Sequence, residues 1–201
     1  TKAASLIIRR WEKTCGRMPD GLVVETPLHA GGHLGATKLE QVTDPALALE
    51  VVVPELVAFL KDEVGIDIPV IAAGGIWDRA DMERAFAYGA SGVQMGTRFA
   101  CTVEGDASDR FKQAFVDAKE EDVVIIKSPV GIPGRALKTP FVAKYLEGDV
   151  TSKPCIANCL SHCSYRNDRS AFCIAQALKD AYQGDYENGL FFCGDSVTKC
   201  T

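Results

Sequence analysis

The sequence predicts an α/β fold of the (β/α)8-barrel type, of which this chain holds the C-terminal part. Short apolar stretches alternate with helical patterns, and this order implies parallel strands joined by crossover helices. The first predicted element is a helix, with no strand before it. Only three or four strands follow within 201 residues, whereas a closed eight-stranded barrel typically takes about 250 residues.

Four apolar stretches predict buried strands, and they cover residues 21–25, 68–73, 92–95 and 123–126. In parallel α/β folds the chemistry lies at the carboxyl ends of the strands, so the residues that follow these stretches are candidates for a site. Two other segments, residues 30–35 and 129–141, are rich in glycine or proline and are predicted to be loops.

Helices are predicted between the strands from apolar spacing and from capping residues. Apolar positions at helical spacing predict helices over residues 2–12, ending before Gly16, and over residues 111–118. Other predicted helix starts are marked by a capping aspartate or an early proline: Asp44, Pro45, Pro54 and Asp78.

The cysteines divide the chain by composition. Six of the eight cysteines lie in the last fifty residues. We therefore expect residues 1–141 to form the barrel portion and residues 142–201 to form a cysteine-rich helical segment packed on the barrel.

The overall composition excludes several classes of protein. Apolar residues make up 47% and charged residues 24% of the chain, which is typical of a globular protein. The net charge is −5 and no basic patch is visible, so we expect neither a nucleic-acid partner nor a membrane-surface partner. No apolar run is long enough to span a bilayer. The N-terminal residues show no signal-peptide pattern, and we expect a cytoplasmic protein with free thiols.

Two glycine turns follow consecutive predicted strands, Gly74-Gly75 and Gly96-Thr97. Glycine lets a phosphate group approach backbone N–H groups, and barrels typically build their phosphate site after the last two strands. The alternative is that these glycines only permit tight turns. Because two such turns occur in series, the sequence favours a phosphate site.

His33 follows Ala30, Gly31 and Gly32 in a glycine-rich loop. A histidine at a strand end is well placed to move a proton near neutral pH. The alternative is a loop histidine that bonds a backbone carbonyl group. His29 lies four residues before His33 and competes for either role.

For two further groups of residues, a role without a bound ligand is favoured. Thiolates from Cys155, Cys159, Cys163 and Cys173 suit an iron–sulfur cluster or zinc, and a helix would place the first three on one face. Their spacing matches neither kind of site, so inert or redox-active thiols and no metal are predicted. For Arg135 and Lys138, solvated loop charges are favoured slightly over anion contacts.

Three motifs together carry a resemblance to a known family. They are residues 30–35 (AGGHLG), residues 70–76 (VIAAGGI) and residues 92–99 (GVQMGTRF). They resemble the nitronate monooxygenase family, also known as 2-nitropropane dioxygenase, which includes flavin-dependent enoyl-ACP reductases. Residues 127–131 and 189–194 also resemble this family. Its members are longer TIM barrels that bind FMN, so the resemblance implies a C-terminal portion.

The resemblance implies a role for each motif. His33 matches the base that removes the proton α to a nitro group, and a bound FMN would oxidise the alkyl nitronate. Glu25 stands near the position of a family acidic residue, although one extra residue before the loop leaves its role open. The cofactor-binding residues that the resemblance implies are Glu25, Ala30, Gly31, Gly32, Gly74, Gly75, Gln94, Gly96 and Thr97.

Alternative functions remain open from the sequence alone. One is an NAD(P)H-dependent flavin enoyl-ACP reductase. Others are a cluster-bearing electron-transfer module and a non-catalytic fragment. The expected partners are a small-molecule substrate and, because a half-barrel has open sheet edges, a second copy or the missing N-terminal half.

Overall fold

The structure of the chain is a computed structural model, which describes residues 1–149, 155, 159, 163–167 and 171–201. The chain divides into two compact units. Unit 1 comprises Thr1–Leu28 and Thr43–Met95, and unit 2 comprises His29–Val42 and Gly96–Thr201. Each unit has its own three-stranded sheet.

The strands within the described residues are β1 (Leu22–Glu25), β2 (Gly32–His33), β3 (Val70–Ala73), β4 (Gly92–Gln94), β5 (Val123–Lys127) and β6 (Pro133–Leu137). The α-helices within the same residues are α1 (Lys2–Cys15), α2 (Leu49–Ala58), α3 (Arg79–Ala87), α4 (Thr97–Ala100), α5 (Asp109–Val116), α6 (Pro140–Leu146), α7 (Ser164–Asn167) and α8 (Ile174–Tyr182).

The sheet of unit 1 is parallel, with the strand order β1-β3-β4. Its register places Leu22 opposite Val70, and Ile71 opposite Gly92. The parallel strands and crossover helices predicted for this part of the chain are therefore confirmed. Helices α1, α2 and α3 each bury apolar residues in one core with β3, and the core residues are Ile8, Val53, Leu56, Phe59, Leu60, Val70, Ala72, Ile76, Ala85 and Ala90.

The helix ends of unit 1 follow the capping residues in the sequence. Helix α1 stops at Gly16, whose φ is +67° and whose N–H donates to the Glu12 carbonyl over 2.8 Å. Helix α3 begins after Asp78, whose carboxylate accepts from the Asp81 amide. The Asp81 carboxylate in turn accepts from the Asp78 amide, which completes a capping box.

Pro54 does not begin a helical piece, contrary to the prediction. It lies inside α2, and the start marked by Asp44 is a short 3₁₀ turn, Pro45–Leu47. Proline in a helix removes one backbone hydrogen bond. Val53 and Leu56, on either side of it, are buried in the core and offset that loss. The helix continues into a π-helical turn, Phe59–Val64.

The sheet of unit 2 is antiparallel, with the order β2-β6-β5. Two predictions are therefore wrong here. The strand at residues 123–126 exists but pairs antiparallel, and the two predicted loops contain β2 and β6. Although Pro133 and Gly134 suggest a loop, β6 is the central strand and all five of its residues are buried. Pairing on both sides stabilises it in spite of its composition.

The core of unit 2 joins this sheet to the C-terminal residues. Ile126 and Ala136 of the sheet pack with Val142 of α6, Ala177 of α8 and Leu190. The predicted boundary after residue 141 lies inside this unit, and the predicted domain division stays a prediction. No helix in the part of the chain that the structure describes is long and apolar enough to cross a membrane.

Candidate functional site

The glycine-rich segment predicted as a loop places His33 on the sheet of unit 2. Gly32 and His33 form strand β2, in which Gly32 lies opposite Arg135 and His33 lies opposite Gly134. Leu34 extends this contact, because its N–H donates to the Pro133 carbonyl over 2.9 Å. The backbone of His33 is therefore held by a strand rather than by a mobile turn.

His33 forms a hydrogen-bonded pair with a buried serine. The His33 Nε2 atom lies 2.8 Å from the Ser128 Oγ atom, and Ser128 is only 3% exposed. The imidazole also contacts the Phe192 ring edge-on, with 5.1 Å between ring centroids. Burial lowers the pKa of His33 below its ordinary value. The ring is therefore neutral at pH 7 and can accept a proton.

The two positions before His33, Gly31 and Gly32, require glycine for two different physical reasons. A Cβ atom at Gly31 would lie 2.4 Å from the Cys193 carbonyl carbon and from the Gly194 amide nitrogen. Only glycine permits this approach of the C-terminal segment. Gly32 has a φ of +72°, a conformation that side chains rarely adopt. Both glycines are thus required by the local backbone, whatever they bind.

Arg135 is buried in β6 and donates a hydrogen bond to the Ala30 carbonyl. The preference for a solvated loop charge at this position was wrong, because the residue belongs to a central strand. Its guanidinium ties the start of the glycine-rich segment to the sheet. Lys138, the other cation considered, is exposed.

His29 lies in a separate pair. Its Nδ1 atom is 2.5 Å from the Asp195 Oδ2 atom, and its side chain is about half exposed. Burial acts to raise the pKa of Asp195, but the hydrogen bond and charge of His29, with the charge of Arg135, bring it below the ordinary value. Asp195 thus remains a carboxylate that orients the His29 ring.

The second glycine turn also packs against the C-terminal segment of unit 2. Thr97 begins α4, and its Oγ1 atom accepts a hydrogen bond from the Gly194 amide over 2.8 Å. No heavy atom counted among the described residues lies within 4 Å of the Cβ position of Gly96. This turn therefore leaves open space beside its backbone.

Unit 1 gathers the other predicted cofactor-binding residues at one edge of its sheet. Glu25 ends β1 opposite Ala73 at the end of β3, and Gln94 ends β4 opposite the same Ala73. Gly74 and Gly75 follow β3 directly, with φ angles of +98° and +75°. The carboxyl ends of three parallel strands thus bring Glu25, Gly74, Gly75 and Gln94 together.

The cysteine region lies partly outside the described residues. Cys155 and Cys159 are not in a helix or strand, and Cys163 directly precedes α7. Most of the residues between them, including His162, are outside the described part, so the predicted helical face is not tested. Within the described residues, no group of three His, Cys, Asp or Glu side chains is placed to hold a metal ion.

Some residues of the site were not singled out from the sequence. These are Ser128, Phe192, Gly194 and Asp195, which contact His33, Gly31, Thr97 or His29. For Ser128, Phe192 and Gly194 the signal was present, because the stretches 127–131 and 189–194 belong to the resemblance. Asp195 lies one residue beyond the second stretch. Spacing along the chain, however, does not reveal which of their side chains meet the histidines.

The fold and the site define an α/β protein in which glycine turns follow parallel strands and a half-buried histidine, paired with a buried serine, lies in a glycine-rich segment. The family model for nitronate monooxygenase matches residues 1–201. The chain therefore belongs to the nitronate monooxygenase family.

Curated relatives match part of the chain. A probable nitronate monooxygenase of Staphylococcus saprophyticus is 36% identical over 129 residues, which cover 64% of this chain and 35% of that protein. A probable nitronate monooxygenase of Staphylococcus aureus (strain Newman) is 34% identical over 134 residues, which cover 66% and 36%. These matches span about a third of the length of the curated relatives.

Solved structures match nearly the whole chain. FabK from Thermotoga maritima has 31% identity and a TM-score of 0.64, covering 94% of this chain and 51% of that one. The nitroalkane oxidase from Streptomyces ansochromogenes has 23% identity and a TM-score of 0.60, covering 96% and 49%. The second likeness shows the fold alone.

Proposed function

We propose that this chain is the C-terminal portion of a (β/α)8-barrel oxidoreductase that binds FMN and oxidises alkyl nitronates. In this proposal His33 forms the nitronate by removing the proton α to the nitro group of a nitroalkane. The observation that carries the proposal is the pair of His33 and Ser128, in which burial keeps the imidazole neutral. Membership of the nitronate monooxygenase family supports it.

Each glycine turn, taken within its own unit, has a backbone that fits a phosphate group. The backbone beside Gly96 faces open space, and Gly74 and Gly75 adopt left-handed conformations at the end of a parallel strand. Such turns expose backbone N–H groups to an anion. The residues that would hold FMN are those that the family resemblance implies: Glu25, Ala30, Gly31, Gly32, Gly74, Gly75, Gln94, Gly96 and Thr97. A bound flavin would accept the electrons of the nitronate.

The chain's own part in the reaction is proton transfer at His33. We assign the tautomer in which Nε2–H donates to the Ser128 Oγ atom, so that Nδ1 carries the lone pair. Among the described residues, none donates a hydrogen bond to Nδ1. Phe192 supports the ring from its edge. The Nδ1 atom is therefore free to take the proton, while Ser128 fixes the ring.

A comparison of two substrates tests this role. A neutral nitroalkane must lose a proton, whereas its nitronate has already lost it. We expect His33→Asn to lower kcat/KM for the nitroalkane by about 10²–10⁴-fold, the usual contribution of a general base. For the nitronate, which needs no general base, kcat/KM should fall by less than about tenfold in the same variant. Oxygen consumption by the FMN-loaded chain measures both rates.

His29→Asn is the matched control, because His29 also contacts a polar partner but is more exposed. Both rates should stay near wild type in that variant. A selective loss of nitroalkane oxidation in His29→Asn would make His29 the base. An equal loss of both substrates in His33→Asn would assign His33 to binding. A wild-type chain that holds FMN and consumes neither substrate would contradict the proposed function.

The likeness to FabK favours a second candidate, an NAD(P)H-dependent flavin enoyl-ACP reductase. The two candidates differ in their electron donor. Oxidation of NADPH that depends on an enoyl thioester would support the reductase. Consumption of a nitronate without NAD(P)H would support the first proposal.

A further inference from the structure

The C-terminal segment of unit 2 continues one edge of its antiparallel sheet. Phe192 pairs antiparallel with Ala136 of β6. Main-chain hydrogen bonds flank this pair, one from the Leu137 amide over 2.9 Å and one to the Arg135 carbonyl over 3.3 Å. Strand β2 pairs with β6 just before this point, at Gly134 and Arg135. Since β5 occupies the whole of the other edge of β6, Phe192 and β2 lie one after the other along the same edge.

The register places the side chains of His33 and Phe192 on one face of this sheet. Side chains directly opposite each other in an antiparallel pair lie on the same face, and so do side chains two positions apart in one strand. His33 lies opposite Gly134, and Phe192 lies opposite Ala136, two positions further along β6. Gly134 therefore lies between the two rings and leaves the space there without a side chain.

The Phe192 ring fills the space that two glycines leave. A Cβ atom at Gly134 would lie 3.1 Å from Phe192 Cε1, and one at Gly32 would lie 3.5 Å from Phe192 Cδ2. The ring thereby reaches the imidazole of His33, which it contacts edge-on with 5.1 Å between ring centroids. The imidazole thus has two fixed contacts, one with this ring and one with Ser128 Oγ, 2.8 Å from Nε2.

We propose that Phe192 is a positioning residue, which lies over Gly134 and holds the His33 imidazole against Ser128. A histidine side chain rotates about two bonds, and a ring packed against the imidazole restricts that rotation. The catalytic consequence rests on the proposed function, in which His33 is the base, because a base is efficient only when it is held in the correct geometry. The absence of a side chain at Gly134 then serves the site by admitting the ring.

Nitrogen NMR of the chain without flavin or substrate tests the positioning by itself. The two imidazole nitrogens have different chemical shifts that report the tautomer, and the His33 signals are those that His33→Asn lacks. In wild type we expect one tautomer, with the proton on the nitrogen that faces Ser128. Phe192→Ala should give averaged nitrogen shifts, because the imidazole can then turn. The pKa of His33 should also rise toward its ordinary 6.5, because the imidazole loses cover from water.

Phe141→Ala is the matched control, because Phe141 lies in the same unit and contacts another ring, that of Phe172, edge-on with 5.0 Å between centroids. Its His33 signals should match those of wild type. Circular dichroism shows whether each variant is folded, and Phe192→Leu gives the same readout if the alanine variant does not fold. A folded Phe192 variant that keeps the wild-type tautomer and pKa of His33 would overturn the proposal.

Rates of the FMN-loaded chain give a second measurement. Phe192→Leu should lower kcat/KM for a nitroalkane by about tenfold or more, and for its nitronate by less than about threefold, because only the nitroalkane needs a well-placed base. Gly134→Ala should also lower the nitroalkane rate, since the added methyl group displaces the Phe192 ring. In a Phe192→Leu background, Gly134→Ala should cause no further loss. Additive losses from the two substitutions would show that Gly134 does not act through the ring.

The two measurements separate this inference from the proposed function. The wild-type chain could hold FMN and consume neither substrate while the His33 signals change in Phe192→Ala. That result would refute the proposed function and support the positioning of His33 by Phe192. Equal losses for the nitroalkane and the nitronate in Phe192→Leu, with unchanged His33 signals, would overturn the positioning.

Discussion

The burial of His33 couples the stability of the protein to pH. Burial lowers the pKa of His33 from its ordinary 6.5, so below that pH the unfolded chain binds more protons than the folded one. Protonation therefore favours unfolding, and stability falls as pH drops through about 6.5 toward the folded pKa. Asp195 has a lowered pKa as well, but its contribution is lost only below about pH 4.

We expect the urea midpoint of wild type to fall from about pH 7.5 to about pH 5.5, the range in which histidine titrates. His33→Asn should show a smaller fall over that range, because it lacks the titrating ring. The measurement is urea unfolding followed by circular dichroism at several pH values. Equal slopes for the two proteins would mean that His33 has the same pKa in the folded and unfolded chain.

Gly31 and Gly96 should respond in opposite ways to an added methyl group. A Cβ atom at Gly31 meets backbone atoms of Cys193 and Gly194 at 2.4 Å, and backbone cannot rotate away. Gly31→Ala should therefore destabilise the fold by about 1–3 kcal/mol or more, as overpacking does. Gly96 has a negative φ and open space, so Gly96→Ala should change stability by less than about 0.5 kcal/mol. Thermal unfolding compares them, and equal losses would refute the contact at Gly31.

Two helix caps that each accept a backbone N–H through a side-chain oxygen differ in burial. Thr139 is fully buried, and its hydroxyl donates to the Gly189 carbonyl over 3.1 Å while accepting from the Val142 amide over 3.3 Å. Asp78 caps α3 at an exposed position. Removing a buried partner leaves both of its contacts unsatisfied, at about 1–3 kcal/mol each. An exposed cap is worth about 0.5–2 kcal/mol.

We therefore expect Thr139→Val to destabilise the chain more than Asp78→Ala. Valine has nearly the same shape as threonine and lacks only the hydroxyl, so the loss of stability in Thr139→Val reports the two hydrogen bonds of that hydroxyl. Denaturant unfolding of the two variants measures it. A smaller loss in Thr139→Val than in Asp78→Ala would show that α6 is not tied to the Gly189 segment through this hydroxyl.

The elements that could be predicted are those with local signals. Helix α1 ends at Gly16 and helix α3 begins at Asp78, since glycine and aspartate act on the turn in which they lie. Strand β6 could not be predicted, because Pro133 and Gly134 favour a loop by themselves. Its pairing with β2 and β5 involves residues about 100 and 10 positions away in the chain, and local patterns do not contain that information.

The candidate site residues divide in the same way: those with a local motif could be predicted, and those that depend on distant strand pairing could not. The glycine turns and His33 were predicted from their own motifs, and the structure places them at strand ends or in a strand. Ser128, the partner of His33, was not singled out, because the pair joins residues that the antiparallel sheet of unit 2 brings together. The preference for a solvated charge at Arg135 was wrong for the same reason, because the residue is buried by the central position of β6 in its sheet.

Flavin binding by the chain depends on whether its glycine turns can hold a phosphate against a net charge of −5. FMN and riboflavin share the ring system and differ in the phosphate. We expect the chain to bind FMN at least about tenfold more tightly than riboflavin, which is the effect of roughly 1.4 kcal/mol from the phosphate contacts. Flavin absorbance that stays with the protein through gel filtration, followed by titration of fluorescence, measures both affinities.

Gly96→Glu supplies the decisive variant, because the open space beside Gly96 admits a side chain and the added carboxylate repels a phosphate. FMN affinity should fall to the level of riboflavin, and riboflavin affinity should not change. Gly96→Ala separates charge from size and should keep the preference for FMN. If the wild-type chain bound FMN and riboflavin equally well, the assignment of a phosphate site at Gly96 would be wrong. If the purified chain showed the absorbance of an iron–sulfur cluster and none of flavin, the electron-transfer alternative would be favoured, with Cys155, Cys159 and Cys163 as the candidate ligands.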